Sequence, residues 1–179
     1  FHMFYQAEKE AEATAVYYDP ERIYDVLDSY AKLGRSIQVT EVTVPAYSWK
    51  AEDEALQAEI LRNLYRMWFS HPAMEAVVYW NVVDGFAAYA PQGDMTAGEN
   101  YYHGGLVRYD FTPKESYRML QELFGKTWRT NLTLDTDTDE LNFKGFYGVY
   151  ELEIEAQGKS VRREIHLTRE CGNHFYLTI

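Results

Sequence analysis

Apolar residues in the first 125 positions switch repeatedly between helical and strand spacing. A helix is predicted over 19–34, because Asp-Pro supplies an N-cap and a first-turn proline and glycine supplies a stop. The β-branched run 36–44 predicts a strand that ends at a proline. A second helix is predicted over 52–69, a nearly continuous apolar strand over 76–83, and a third helix over 112–125, where Thr-Pro-Lys-Glu is read as a capping box. Helices that alternate with strands predict an α/β fold with a parallel sheet.

Other segments do not follow this alternation. Residues 6–16 are rich in Glu and Ala and fit either a helical excursion or a long loop. The segment 85–105 is too long for a simple connection, so we expect it to carry function. Five short strands are predicted in the tail, separated by turn signals, at 128–134, 141–144, 149–156, 161–168 and 175–179. These patterns predict two parts, a βα part over 1–125 and a small all-β sandwich-like module over 126–179.

Composition narrows the classes of partner. A net charge of −11 and a pI near 4.9 argue against nucleic acid and anionic membrane surfaces, because phosphate contacts need clustered Lys and Arg. No run approaches the ~20 apolar residues of a membrane span. Cys171 is the single cysteine, which excludes an internal disulfide. Sixteen Tyr and four Trp are aromatic rings with a polar edge, which suit sugars and other amphipathic ligands.

Glu41 is the first candidate for chemistry. It lies near the end of the predicted strand 36–44, where a buried carboxylate costs free energy unless it is paired or used. Catalytic groups of parallel barrels lie at the C-terminal ends of the strands, so an acid at this position is a catalytic candidate. The alternative is a glutamate that only ends a strand in solvent, and the local pattern leaves both possibilities open.

Five sequence features together resemble glycoside hydrolase family ten, the endo-β-1,4-xylanases. Ile37-Gln-Val-Thr-Glu-Val-Thr-Val44 resembles the nucleophile strand of that family, and His2 is similar to the histidine that ends its sixth strand. His71-Pro72, Val78-Tyr-Trp-Asn-Val-Val-Asp84 and Gly105-Leu-Val-Arg-Tyr-Asp-Phe-Thr-Pro-Lys114 follow in the family's order and spacing. The resemblance covers residues 1–125 and implies the C-terminal portion of a (β/α)8 TIM barrel. The tail, with Gly145-Phe-Tyr-Gly-Val-Tyr150, resembles a β-rich extension of some members.

The resemblance implies a role for each of several residues. Glu41 would be the nucleophile of a retaining glycosidase, and His2 would hold it ionised and oriented. Trp80 matches the family's sugar-stacking tryptophan. The family has a second tryptophan, and its position in this chain falls near Tyr89, where no tryptophan stands. Thr43 stands where the family often has an aspartate that supports the histidine. Candidate substrate-binding residues are therefore Trp80, Asn81, Asp84 and Tyr89. The alternatives are a surface histidine at His2 and a core tryptophan at Trp80.

The acid/base of such an enzyme lies on an earlier strand of the family, upstream of this chain. We therefore expect an incomplete barrel whose partner is either its upstream half or a second copy of the chain, especially as residues 1–5 read as the middle of a strand. The implied substrate is xylan or a related plant polysaccharide, and the implied location is secreted or on the surface of a bacterium. No cofactor is expected. The alternative function is a non-catalytic carbohydrate-binding or interaction fragment.

The cluster Glu99-Asn-Tyr-Tyr-His103 fits two interpretations, a metal site or a hydrogen-bonded loop. Asp94, Glu99 and His103 are possible ligands, but a spacing of this kind occurs by chance and no second histidine lies nearby in the sequence. We therefore expect a hydrogen-bonded loop and no metal.

Overall fold

A computed structural model describes residues 1–3, 9–170 and 172–178, and side chains in this range other than those of residues 10 and 11. The chain divides into two compact units, Phe1–Glu122 and Leu123–Ile179, and each is treated by itself. The predicted start of the excursion at residues 6–8, and the cysteine in the predicted turn 171–173, lie outside the described residues.

The first unit contains four helices and two short strands among its described residues. In chain order these are α1 (Glu10–Tyr18), α2 (Pro20–Ala31), β1 (Ile37–Val42), α3 (Ala51–Ser70), β2 (Met74–Tyr79) and α4 (Glu115–Glu122). A short 3₁₀ helix, Gly98–Tyr102, interrupts the long segment between β2 and α4. As predicted, the Asp19 side chain caps α2 by accepting a hydrogen bond from the Arg22 amide. None of the described helices is long and apolar enough to cross a membrane.

The strands of this unit form a small parallel sheet. β1 pairs with β2 in parallel, from Ile37 opposite Met74 to Val42 opposite Tyr79. On the other side of β1, His2 forms a parallel bridge to Thr43. Three neighbouring parallel segments thus lie side by side, in the order expected for consecutive βα units. The α/β prediction is confirmed at this level, and the described residues contain no closed barrel.

The helices provide the buried core of the unit. α3 buries Leu61, Leu64 and Trp68, which recur at helical spacing on one face. Each such side chain stabilises the fold by roughly 1.5–3 kcal/mol when it is fully removed from water. Further buried apolar side chains come from α2 and α4, namely Ile23, Leu27, Met119 and Leu120. The core therefore lies on the helical side of the sheet.

Two predictions for this unit differ from the structure. The strand over 76–83 was expected to be buried on both faces, but Val78 is 52% exposed, because no described element covers that face of the sheet. The third helix begins at Glu115 rather than at Thr112. The Thr112 hydroxyl donates a hydrogen bond of 2.5 Å to Asp110 Oδ1, so it is used in a turn and does not cap the helix.

The second unit is simpler than predicted. After a π-helical turn, Leu123–Thr127, it forms one antiparallel hairpin of β3 (Gly148–Ala156) and β4 (Lys159–Leu167). Gln157 and Gly158 connect the strands with φ of 51° and 75°, as a two-residue hairpin turn requires. The described residues of the other three predicted strands, at 128–134, 141–144 and 175–178, are irregular. The sandwich-like module is therefore not formed by the described residues.

Gly104 and Gly105 lie very close to other parts of the first unit, where a side chain would not fit. A Cβ on Gly104 would lie 2.5 Å from Thr43 Cγ2, and a Cβ on Gly105 would lie 2.5 Å from the backbone nitrogen of Asp84. The neighbour of Gly105 is backbone and cannot rotate away, so any side chain there must move the segment that follows β2.

We predict that Gly105→Ala lowers the free energy of unfolding by about 1–3 kcal/mol, as overpacking does elsewhere. Gly125→Ala is the matched control, because a Cβ on Gly125 meets nothing within 4 Å. Urea denaturation of both variants measures the difference. Equal midpoints for the two variants would contradict the close-approach argument.

Candidate active site

Glu41 and His2 form a close pair at the end of β1. The imidazole Nε2–H of His2 donates to Glu41 Oε2 at 2.6 Å. The two residues come together because the amide of Met3 donates to the Thr43 carbonyl and the amide of Thr43 donates to the Phe1 carbonyl. The Glu41 side chain is 47% exposed and that of His2 is 24% exposed, so the carboxylate is held from one side and open on the other. A held, accessible carboxylate can act as a nucleophile or as a binding group.

Trp80 extends this pair into a small site. Its amide donates to the Val42 carbonyl, which continues the parallel pairing beyond β2 and places the indole beside His2. The two ring centroids are 5.9 Å apart and the rings are tilted by 58°. Trp80 is half-buried rather than fully enclosed. A partly exposed indole beside a carboxylate is an arrangement that suits the apolar face of a sugar.

Glu99 and Asn81 complete the cluster. The Trp80 indole nitrogen and the Asn81 side-chain amide each donate to Glu99 Oε2 at 2.9 Å. Asn81 has φ of 57°, a left-handed conformation that asparagine tolerates better than most residues. Both Asn81 and Glu99 line a shallow depression that also touches Thr43. The structure therefore brings together the predicted residues Glu41, His2, Trp80 and Asn81.

Asp84, another predicted substrate-binding residue, lies in the interior instead. Its side chain is fully buried and pairs with Lys114 Nζ at 2.7 Å. The Trp49 indole donates to the same carboxylate at 2.7 Å, and the Gly105 amide donates to its other oxygen at 2.7 Å. A carboxylate enclosed in this way has no face to offer a ligand. The substrate-binding prediction for Asp84 is corrected to a structural role.

The Asp84–Lys114 pair belongs to a network that holds the loop after the 3₁₀ helix. Lys114 Nζ also donates to the His103 carbonyl at 2.7 Å, and the Tyr79 hydroxyl donates to the Gly104 carbonyl at 2.7 Å. Burial lowers the pKa of Lys114, an effect that Asp84 opposes, and burial raises the pKa of Tyr79 far above its ordinary value. These donors fix the backbone between Glu99 and α4.

Gln57 is the residue of this network that the sequence reading overlooked. Its amide nitrogen donates to the Val44 carbonyl at 2.8 Å and to the Gly104 carbonyl at 3.3 Å, while its oxygen accepts from Ser116 Oγ at 3.0 Å. The sequence contains a signal that could have identified it. Gln57 lies one turn before Leu61 on the buried face of α3, and a polar residue in such an apolar stripe needs hydrogen-bond partners.

The loop residues that were weighed as metal ligands have other partners. Glu99 accepts from Trp80 and Asn81, and Asp94 accepts from Thr96. His103 packs edge-on against Trp49 at 4.9 Å, and burial lowers its pKa. Its Nδ1 is buried without a hydrogen-bond partner among the described residues. Within residues 1–3, 9–170 and 172–178 no group of three His, Cys, Asp or Glu is arranged to hold a metal.

Tyr89 does not join the site. It is fully exposed on the segment after β2, in a left-handed conformation with φ of 61°. Among the described residues no ring contact joins it to Trp80, and its role in substrate binding stays a prediction.

Comparison with known proteins gives a similar sequence and several similar structures, two of which are described here. No protein-family profile matches the chain. Over 156 residues the chain is 30% identical to the anti-sigma-I factor RsgI6 of Acetivibrio thermocellus, covering 86% of this chain and 18% of that protein. Xylanase 10B of Thermotoga maritima superposes with a TM-score of 0.50 at 22% identity, covering 61% of this chain and 33% of the xylanase. A β-glucuronidase of Faecalibacterium prausnitzii gives a TM-score of 0.49 at 20% identity, covering 69% and 20%.

The two structural similarities show a likeness of fold, and all three similarities cover only part of a larger protein. The chain spans about a fifth of the curated relative that it matches. Over part of its length the chain is similar in fold to this xylanase, which confirms the predicted mixed α/β class at this coarse level. The closed barrel and the all-β module stay predictions. Membership of glycoside hydrolase family ten, by contrast, stays a prediction.

We predict that Lys114→Met lowers the free energy of unfolding by about 3–5 kcal/mol, because it leaves the buried Asp84 carboxylate without its cation. The exposed Lys32 provides the control, since Lys32→Met should change stability little. The double variant Lys114→Met, Asp84→Asn should recover part of the loss. Urea unfolding measures all three, and a Lys114→Met midpoint equal to that of Lys32→Met would show that the ion pair does not hold the loop.

Proposed function

We propose that the chain is the C-terminal part of a retaining glycoside hydrolase barrel that acts on β-1,4-xylan or xylo-oligosaccharides. The observation that carries the proposal is the contact of 2.6 Å between His2 Nε2 and Glu41 Oε2 at the C-terminal end of a parallel strand. A donated N–H orients a carboxylate, which a nucleophile requires. Trp80, with its ring 5.9 Å from that of His2, is the sugar platform.

In this mechanism Glu41 attacks the anomeric carbon and forms a covalent glycosyl intermediate. A second carboxylic acid protonates the departing oxygen and then, as a base, takes a proton from the water that releases the sugar. The two carboxyl groups must lie about 5–5.5 Å apart in a retaining enzyme. We assign the second group to another part of the barrel. No cofactor takes part in this chemistry.

A second proposal is a non-catalytic carbohydrate-binding or interaction fragment in which Glu41 performs no chemistry. It is favoured by the similarity to a protein named as an anti-sigma-I factor. Trapping with a mechanism-based fluoro-glycoside, followed by peptide mass mapping, separates the two proposals. Label on Glu41 supports the enzyme, label on another residue contradicts the site, and binding without label supports the fragment.

Xylan lies outside cells, so the proposed enzyme would be secreted or displayed on the surface of a bacterium. Recovery of the protein from the culture medium or the cell surface would support this location, and recovery only from the cytoplasm would contradict it.

We predict that Glu41→Gln abolishes turnover of aryl xylosides by the completed barrel while sugar binding stays nearly intact. The substitution keeps the shape and removes the nucleophilic charge. Glu59→Gln, on the exposed face of α3, is the matched control. Steady-state kinetics and calorimetric titration measure both properties. A kcat within about tenfold of the parent would contradict the nucleophile assignment.

We predict that Trp80→Ala weakens binding of xylo-oligosaccharides by about 1–3 kcal/mol, by analogy with the cost of removing aromatic platforms for bases. Trp128→Ala is a comparison, because its ring packs against Phe124 within the second unit. Isothermal titration gives the dissociation constants, and circular dichroism checks the fold. An unchanged constant for Trp80→Ala would show that the indole only fills space.

The barrel also needs more strands than the described residues contain. Three parallel segments leave Val78 on an open sheet face, and α2 leaves Val26 and Tyr30, one turn apart, exposed. We propose that the upstream half of the same barrel covers these surfaces in the working enzyme. A second copy of the chain is the alternative occupant.

We predict that the 179-residue chain alone does not behave as a well-folded monomer. Size-exclusion chromatography with light scattering should show self-association through the open face, which Val78→Lys reduces. Leu134→Lys, an equally exposed apolar position in the second unit, should leave the mass unchanged. A cooperative, monomeric parent would contradict the open-sheet argument.

A further inference from the structure

We propose that Glu99 is a positioning residue that fixes the indole plane of Trp80 for sugar stacking. The proposal rests on the proposed function of Trp80 as the sugar platform and assigns a role to a residue outside the Glu41–His2 pair. Its basis is the single oxygen Oε2, which accepts both from the indole nitrogen and from the Asn81 amide at 2.9 Å.

An indole needs such a partner at this position. Trp80 follows the end of β2 and is half-buried, so sheet packing does not enclose both faces of the ring. Its imidazole neighbour His2 approaches at a tilt of 58° and leaves the ring free to turn about its side-chain bonds. A hydrogen bond from the indole nitrogen to a carboxylate is charge-assisted and directional, so it selects one orientation of the ring.

Glu99 can perform this role because its own backbone is fixed. The neighbouring Asn100 is buried, with its side-chain oxygen accepting from the Ala87 amide at 2.9 Å and its amide donating to the Asp94 carbonyl at 3.0 Å. Gly98, with φ of 52°, makes the turn that begins the 3₁₀ helix. The carboxylate is thus delivered by a rigid loop rather than by a mobile side chain on the surface.

Asn81 adds a second constraint on the same carboxylate. Its left-handed backbone turns the chain immediately after Trp80, and its amide shares the Oε2 atom with the indole. Two donors on adjacent residues converge on one acceptor, which reduces the freedom of all three side chains. Because Glu99 fixes the orientation of the Trp80 indole before a sugar binds, stacking costs less conformational entropy.

The first test observes the indole directly and needs no sugar. The ¹⁵N-labelled chain carries Val78→Lys, which reduces self-association; its four tryptophans should give four indole N–H resonances, and Trp80→Phe identifies the one from Trp80. Glu99→Ala should move that resonance upfield through loss of the hydrogen bond, and Glu99→Gln, which keeps a neutral acceptor, should move it less. Glu59→Ala is the control and should leave it in place. An unmoved Trp80 resonance in both Glu99 variants would overturn the proposal.

The second test asks whether Glu99 acts through the indole. Glu99→Ala should weaken xylotriose binding about tenfold, as the loss of one strong hydrogen bond would. In a Trp80→Ala background the same substitution should change the dissociation constant by less than about twofold, because coupled residues are not additive. Glu99→Gln should restore most of the affinity.

The outcomes separate this proposal from the function on which it rests. Equal weakening by Glu99→Ala in both backgrounds would mean that Glu99 contacts sugar itself or acts through Asn81, which overturns the positioning role. A parent that does not bind xylotriose, with the indole resonance still moved by Glu99→Ala, would refute the sugar platform while supporting the hold of Glu99 on Trp80.

Discussion

The ion pair between Asp84 and Lys114 is the interaction on which the rest of the first unit depends. It is fully buried and joins the segment after β2 to the start of α4. Charges are removed from water at high cost, so the pair persists only because Trp49, the Gly105 amide and the His103 carbonyl satisfy the remaining donors and acceptors. The pair fixes the long segment between β2 and α4, and that segment carries Glu99 to Trp80.

The two parts of the candidate site are held in different ways. Backbone pairing of parallel segments positions Glu41 and His2, whereas a loop residue orients the indole ring of Trp80. Sheet geometry alone therefore sets the position of the carboxylate, while the orientation of the platform depends on a polar network buried behind it. This division follows the common arrangement in which a rigid scaffold holds the reacting group and loops determine what binds.

Sequence reasoning predicted the parts that local patterns encode. Helical spacing located α2 and α3, and the apolar runs located β1 and β2. The pairing of Glu41 with His2 was expected from the family resemblance, not from these patterns. It failed where the decisive partner is distant in the chain. Asp84 looked available at the end of a strand, because nothing nearby in the sequence shows that Lys114 closes over it. The tail failed for another reason: alternating patterns mark possible strands, but few apolar side chains there are buried, and among the described residues only β3 and β4 pair.

The pairing of His2 with Thr43 has a consequence for the order in which this structure assembles. The two residues of the carboxylate–imidazole contact lie 39 positions apart, so a loop containing all of α1 and α2 must close before the contact exists. Closing a loop costs entropy that grows slowly with its length, and long-range parallel pairing is intrinsically slow. Helices α2 and α3 can form from local contacts, whereas the chemistry-bearing pair forms only when the chain has already collapsed.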